Sequence, residues 1–449
     1  MDATFDPLPL GWPIDHAVPP LSEPLENLEA AAEHALAHPL SSLPIMDLCG
    51  PGSRVTVVAA IAGRARDAAN AAMMPRLMHE LEAAGVRERD IVILIPNALH
   101  RPSTAVEKRR GLGEAVAGRY TVVDHDPTNL TELDDLGTFQ GVPLLVNYRA
   151  VEADLLIAVD VVEPHYYAGY SGGNKTVSIG CAGEATLNEV RTTRFLDDVA
   201  LHPADSPDNL AMRVEQEIGR RAGLKFVLNA VIDVDSRITA IGAGSPNAVH
   251  DALLTCARRS FQVDVPRSDY NIIVAGNGGS RNRTLYHASR AAVAIGLTPH
   301  QVLMNGGVII LPVHCEIDRH VDAREQQFYE ALSSANDMDT VLAQLSERGI
   351  RSGEQRAYML AQTMMAHKYH VIAVGADCAD LVNDCGLIAA RSMLEAASLA
   401  ETIVGRSPRV LMLPHAAHFI PVSRWQPQPE SPATQPDDDI YIRSIISDN

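Results

Sequence analysis

Aromatic side chains are scarce in this 449-residue chain, at 4% of the total, and basic charge is in deficit. Its 37 Lys and Arg stand against 56 Asp and Glu, a formal net charge of −19. Few aromatics beside plentiful Ala, Val, Leu and Ile favour helices packed on parallel strands over a β-sandwich. The acidic balance argues against nucleic acid as a partner, since phosphate binding needs a basic face. It leaves room for a small anionic substrate held by local Arg or Lys. The six cysteines, Cys49, Cys181, Cys256, Cys315, Cys378 and Cys385, form no CxxC pair and no zinc spacing. They read as buried or incidental reduced thiols. No apolar run reaches the ~18 residues a membrane helix needs. The start, MDATFDPLPLGWPIDHAVPP, lacks the basic residues and apolar stretch of a secretory signal. The expectation is a cytoplasmic protein without a membrane partner, for which an oligomer remains open. Two phosphate-loop patterns are also missing: GxxxxGK[ST] is absent, and GxGxxG does not follow the first strand.

What is present is regular. Hydrophobic residues make up 46% of the chain, enough for two or three domains with their own cores. Short β-branched runs at Val55–Ile61, Ile91–Ile95, Leu155–Val161, Phe226–Val231 and Asn271–Ala275 read as buried parallel strands. Helical stretches alternate with them, such as MMPRLMHELEAAG, which ends at Gly85 as a C-cap should. The pattern predicts an α/β fold of two domains, a doubly wound, mostly parallel sheet plus a smaller α/β domain, with a site in the cleft. The expected boundaries are an arm over 1–24, a first domain over 25–275, a second over 284–405 and a flexible tail over 423–449. A final strand within 408–422 is expected to return to the first domain. No internal repeat is visible.

Open α/β sheets place their sites where loops leave the carboxyl ends of strands. Four such junctions carry reactive residues: AGRARD with Arg64 and Arg66, PNALHRPST with His100 and Arg101, VEPHYYAGYSGGNK with His165 and Lys175, and GNGGSRNRTLYHASR with Tyr286, His287 and Arg290. Each is weak singly, but two histidines, a lysine and several arginines on one sheet edge make a proton-transfer inventory. Paired imidazoles serve as acid and base near neutral pH, and guanidiniums clamp carboxylates. In SGGNK, Gly172 and Gly173 allow close backbone approach and an anion nest after Ser171. Lys175 at its end is placed to pair with a phosphate or bond a cofactor covalently.

LHRPST at Leu99–Thr104, EPHYYAGYSGGNK at Glu163–Lys175 and NGG…LYHASRA over Asn277–Ala291 resemble the nickel-pincer-nucleotide-dependent lactate racemases. The likeness runs from about Pro24 to Val422. It implies an isomerase, a racemase or epimerase of a small 2-hydroxy acid. By that resemblance His100 and His165 are general bases on opposite faces of the substrate. One takes the hydroxyl proton while the substrate hydride moves to the cofactor's pyridinium ring, and the 2-keto acid takes it back on either face. The same resemblance has Lys175 carry the cofactor, a pyridinium-dithio mononucleotide that holds nickel, through a thioamide. Arg66 then helps to hold the substrate carboxylate, with Tyr286, His287 and Arg290 beside it.

The chain departs from that pattern at several matched positions. The nickel-ligating histidine falls on Arg191, and a guanidinium offers a metal no lone pair. No metal ligand is therefore expected there, which leaves His202, Cys181 or the cofactor's own sulfurs as substitutes. Asp and Pro of the pattern are Gly63 and Asp67, Gln and Lys are His287 and Arg290, and the Gly-rich stretch reads HCEIDRHVDAREQQF. These changes predict a pocket unlike that for lactate, for a larger or more acidic molecule. Two other readings stand beside the racemase: an enzyme on this fold acting without nickel or with another cofactor, and a non-catalytic binding homologue.

Overall fold

A computed structural model describes residues 11–17, 23–61, 63–165, 169–201, 208–276, 283–298, 300–313, 323–375 and 379–423. His202, Cys315, Cys378, the Asn277–Gly279 motif, most of the arm and the tail beyond Ser423 lie outside them.

Two six-stranded sheets organise the chain. The first has the order Thr121–Asp124, Ile91–Ile95, Val55–Ala59, Leu155–Val162, Leu224–Ile232, Ile238–Gly244. Its strands are parallel except the last pair. All eight residues of Leu155–Val162 are buried, which is why this central strand reads as a continuous apolar run broken only by Asp160. The chain winds outward from Val55–Ala59 through two neighbours, then returns to place Leu155–Val162 on its other side. That reversal is the topological switch point, and the loops leaving both strands open into one crevice.

The second sheet runs Ile14–His16, Val410–Leu413, Tyr270–Ala275, Leu303–Pro312, His370–Val374, Ile388–Ala390, all parallel. Alternation divides its side chains between two faces. Ile272, Val274, Val308 and Ile310 meet the helix Met393–Val404, while Ile273, Ile309 and Leu311 join the larger core that continues into the first sheet.

The expected domain boundaries need correction here. The strand Tyr270–Ala275 does not close the first domain; it lies in the second sheet between Val410–Leu413 and Leu303–Pro312. Val410–Leu413 therefore does not return to the first sheet, and the residues after it form a separate strand, Ile420–Ser423, paired with Gln262–Val265. Part of the expected arm, Ile14–His16, is an edge strand held by Val410–Leu413. A short apolar strand buried on both faces carries no mark of which sheet it joins, because its partners lie far away in sequence.

The helix Arg64–Ala83 starts nine residues before the stretch that announced it, and it runs through Pro75. Its end is as expected. Gly85 takes φ +89, and the Val86 amide reaches back to Leu81 O at 3.1 Å, satisfying a carbonyl the helix leaves open.

Candidate active site at the switch point

Three strand ends of the first sheet build the crevice. The Val55–Ala59 strand delivers Ala60, Ile61 and, one helical turn later, Arg66. Ile91–Ile95 delivers Asn97 and His100, and Leu155–Val162 delivers Asp160, Glu163 and His165. All of them line a cavity of about 320 Å³ together with Ser171, Lys175 and, from the second sheet's helix Leu285–Gly296, Arg290. A second cavity of about 300 Å³ shares His100, His165 and Arg290 with the first and adds Arg191, Tyr286, His287, Arg324 and Arg356. The two histidines and Arg290 thus stand where two chambers meet, one lysine-lined and one arginine-lined.

Local turns hold the histidines. The His100 amide donates to Asn97 O at 2.8 Å, and Ala98, at φ +46, donates to Gly180 O. Asn97 is fixed in turn by donating to Asp124 Oδ1 at 2.9 Å. Arg324 Nη1 lies 3.1 Å from His100 Nδ1. A guanidinium can only donate, so Nδ1 accepts and the neutral ring carries its proton on Nε2. His165 is anchored by its own amide, which donates to Gly169 O at 2.7 Å. Burial, then the charges of Lys175, Arg290, Arg356 and Arg191, hold its imidazole well below the ordinary histidine range. It is neutral at pH 7 and able to accept a proton.

Arg66 is more constrained than the sequence suggested. Its Nε donates to Asp160 Oδ1 at 2.7 Å and its Nη1 to Glu163 Oε1 at 3.1 Å. Burial opposes the charge on Arg66, and the two carboxylates outweigh it, pushing the guanidinium pKa up. Asp160 also accepts from Thr176 Oγ1 and the Val161 amide. Arg66 is thus the centre of a buried ion network as well as part of the cavity wall. Arg101 has no place at the site: it points to solvent in a two-bond pair with Glu107.

The SGGNK loop is placed as expected, with a different division of labour. Gly172 and Gly173 take φ +79 and +55. A Cβ on Gly172 would stand 2.4 Å from Asn229 Nδ2, and one on Gly173 3.2 Å from His250 Nδ1. These glycines permit a close approach to side chains of the protein's own interior. Ser171 Oγ donates to Val161 O at 2.7 Å and accepts from the Glu163 amide at 3.0 Å, locking the loop to the strand end. Together they fix Lys175, whose Nζ is buried without a hydrogen-bond partner among the described residues. Burial lowers its pKa to about 8, against the opposing charges of Glu215, Asp160 and Glu163. A partly deprotonated amine at a cavity wall is a nucleophile ready for acylation. The expected outcome is that a small amine-acylating reagent modifies Lys175 with a midpoint near pH 8, about two units below the ordinary lysine range. Peptide mass mapping across a pH series reads this, and a Lys175 midpoint in the ordinary lysine range would contradict it.

Tyr286, His287 and Arg290 share one helix face toward the second chamber. The Tyr286 ring lies 3.9 Å beneath the Arg356 guanidinium, whose Nη1 donates to Tyr286 O at 2.8 Å. His287 Nδ1 lies 2.8 Å from Thr284 Oγ1, the N-cap hydroxyl of that helix. Glu163 faces both Arg66 and Arg290: burial pushes its carboxyl up, and Arg66, Arg290 and His418 hold it below the usual glutamate range.

Sequence reading missed Asp160, Arg324 and Arg356. Asp160 had a signal, as the one charge in an apolar strand, LLIAVDVV. Arg324 meets His100 across 224 residues, and nothing local marks it.

An organic cofactor tethered at Lys175 fits this site, since the orphaned amine faces a cavity large enough to receive it. At the position the resemblance gives to a nickel ligand, Arg191 does not fit, because a guanidinium has no lone pair to offer. No group of three metal-capable side chains occurs among the described residues. Arg191 occupies the second chamber's wall, and Cys181 is fully buried in the core with its thiol pKa pushed up.

Comparison with known proteins gives the family of the chain. Residues 9–200 match the lactate racemase N-terminal domain and residues 265–420 the lactate racemase C-terminal domain. The lactate racemase of Thermoanaerobacterium thermosaccharolyticum is 26% identical over 397 residues, covering 87% of this chain and 90% of the relative. That of Lactiplantibacillus plantarum is 25% identical over 390 residues, covering 86% and 89%. The structure of the T. thermosaccharolyticum lactate racemase apoprotein superposes with a TM-score of 0.78 at 25% identity, over 90% of this chain and 94% of that one. A Thermotoga maritima protein shares the fold, with a TM-score of 0.64 at 15% identity, over 90% of this chain and all of the other. With both domain models matched in order, and between them most of the chain, the protein belongs to the lactate racemase family.

Proposed function

We propose that this protein racemises or epimerises a small 2-hydroxy acid at the junction of the two chambers, using a pyridinium cofactor tethered to Lys175. The observation that carries the reading is the meeting of His100, His165 and Lys175 on one cavity, from two separate chain segments. When bound, the cofactor supplies a reversible acceptor for the hydrogen on the substrate's C2, taken as hydride. The protein's residues do the rest. Arg290 and the Arg66 network place a carboxylate beside the histidines. Neutral His165 takes the hydroxyl proton, and His100, whose Nδ1 accepts from Arg324, offers its Nε2 proton on the opposite face. Return of the hydride to either face of C2, with a histidine handing the proton back to the substrate oxygen, would give either enantiomer.

The test is chiral chromatography of a single enantiomer of a 2-hydroxy acid, incubated with protein made alongside the cofactor's biosynthetic enzymes. Appearance of the other enantiomer is expected; none from any 2-hydroxy acid would overturn the reading. Nickel separates a second reading, the same chemistry without a protein-bound metal, which the guanidinium of Arg191 favours. By elemental analysis the natural protein is expected to hold well under one nickel per chain, and Arg191→His to hold more. Stoichiometric nickel in the natural protein would count against this account of Arg191.

A further inference from the structure

The second chamber is more cationic than a site for a monocarboxylate requires. Beyond the shared His100, His165 and Arg290, its wall carries Arg191, Arg324 and Arg356. Glu325 is the one carboxylate among the described lining residues, and it accepts from Tyr329 Oη at 3.0 Å. Arg191 Nη1 is buried and has no hydrogen-bond partner among the described residues. A buried N–H of a charged group left without an acceptor is costly, and an anion in the chamber relieves that cost. Arg356 is held rigid, stacked on Tyr286 and bonded to its carbonyl, so it offers a fixed fork with little entropy to lose. Lys175 lines the first chamber and not the second, so the arginines lie on the side of the histidines away from the tether.

We propose that the second chamber receives the far end of the substrate and that this end is itself anionic: the substrate is a 2-hydroxy acid with a second carboxylate or a phosphate, selected by Arg191 and Arg356. This rests on the racemase reading for the chemistry at C2, and adds which acid undergoes it. After burial, Lys175 and Arg290, the charges of Arg356 and Arg191 also depress the His165 imidazole, so both guanidiniums lie within electrostatic reach of the histidine where the two chambers meet. A methyl terminus would leave Arg191 Nη1 without an acceptor among the described residues, and a site built for polar partners rejects analogues that lack them.

The probes are malate, 3-phosphoglycerate and 2-hydroxybutyrate, measured both for turnover by the cofactor-loaded protein and for binding by calorimetry. At least one dianion is expected to exceed 2-hydroxybutyrate in kcat/KM by about 100-fold. Malate against phosphoglycerate tells carboxylate from phosphate. Arg191→Met should shrink that preference about tenfold or more, mainly through KM, and Arg191→Lys, which keeps the charge, should restore part of it. Turnover of 2-hydroxybutyrate equal to or above both dianions overturns this proposal and leaves the racemase reading intact. Dianion binding that Arg191→Met weakens, without turnover of any 2-hydroxy acid, overturns the racemase reading and keeps the anion site. Neither turnover nor selective binding overturns both.

Discussion

His165→Ala and His100→Ala are each expected to lower racemisation by roughly 10²–10⁴ while the protein stays folded, the range typical of losing a positioned acid or base. His165 carries the sharper expectation. Its imidazole is neutral far into the acid range because burial and four neighbouring cations oppose protonation. The acid limb of the rate that belongs to His165 should therefore lie well below pH 6.5. The linkage has a definite sign. A histidine whose folded pKa is depressed takes its proton more readily when unfolded, so stability falls as pH drops below about 6.5. His165→Gln should abolish that share of the acid sensitivity together with the activity. Retention of full racemisation by both alanine variants would remove these imidazoles from the mechanism.

Arg66→Ala should behave differently from a simple substrate-clamp variant. Sequence alone suggested weakened substrate binding, but the structure surrounds this guanidinium with Asp160 and Glu163, all three largely buried. Removing one member of a buried ion pair leaves uncompensated charge, at a cost of about 3–5 kcal/mol. Here two carboxylates are left, so the expected result is a stability loss of that order by denaturant titration, with activity lost alongside. Glu163 adds a pH signature. Its carboxyl is held below the usual glutamate value, so its contribution is present above about pH 4.3 and is lost as pH falls through the folded pKa. Arg66→Ala should lose much of that dependence, and Arg66→Lys should keep the charge but not the two-point geometry. An Arg66→Ala protein as stable as the natural one, with only a raised KM, would show that the network carries little of the fold.

How much was legible in the sequence follows the range of each interaction. His100, His165 and Lys175 were found because each leaves the carboxyl end of a strand, a rule that acts over ten residues or so. The second-sheet assignment of Tyr270–Ala275 was not legible, since it depends on pairing with Leu303–Pro312 and Val410–Leu413. The glycines of SGGNK were rightly marked as a point of close approach, yet the approaching groups, Asn229 and His250, come from distant segments. Arg324 and Arg356 sit on helices whose own patterns explain them as ordinary exposed or amphipathic positions. Packing between the second sheet's own helices turns Arg356 toward Tyr286, and the approach of those helices to the crevice brings Arg324 to His100. Arg191 was visible as a departure from the family pattern, but the chamber it lines was not.

The most direct measurement on the central claim is the mass of the peptide that contains Lys175, taken from protein produced with the cofactor's biosynthetic enzymes and shown to racemise a 2-hydroxy acid. The buried, partly deprotonated amine at the cavity wall predicts a covalent mass increase confined to that peptide and absent from Lys175→Ala, which should also be inactive. An unmodified Lys175 in protein that racemises its substrate at full rate would contradict the account.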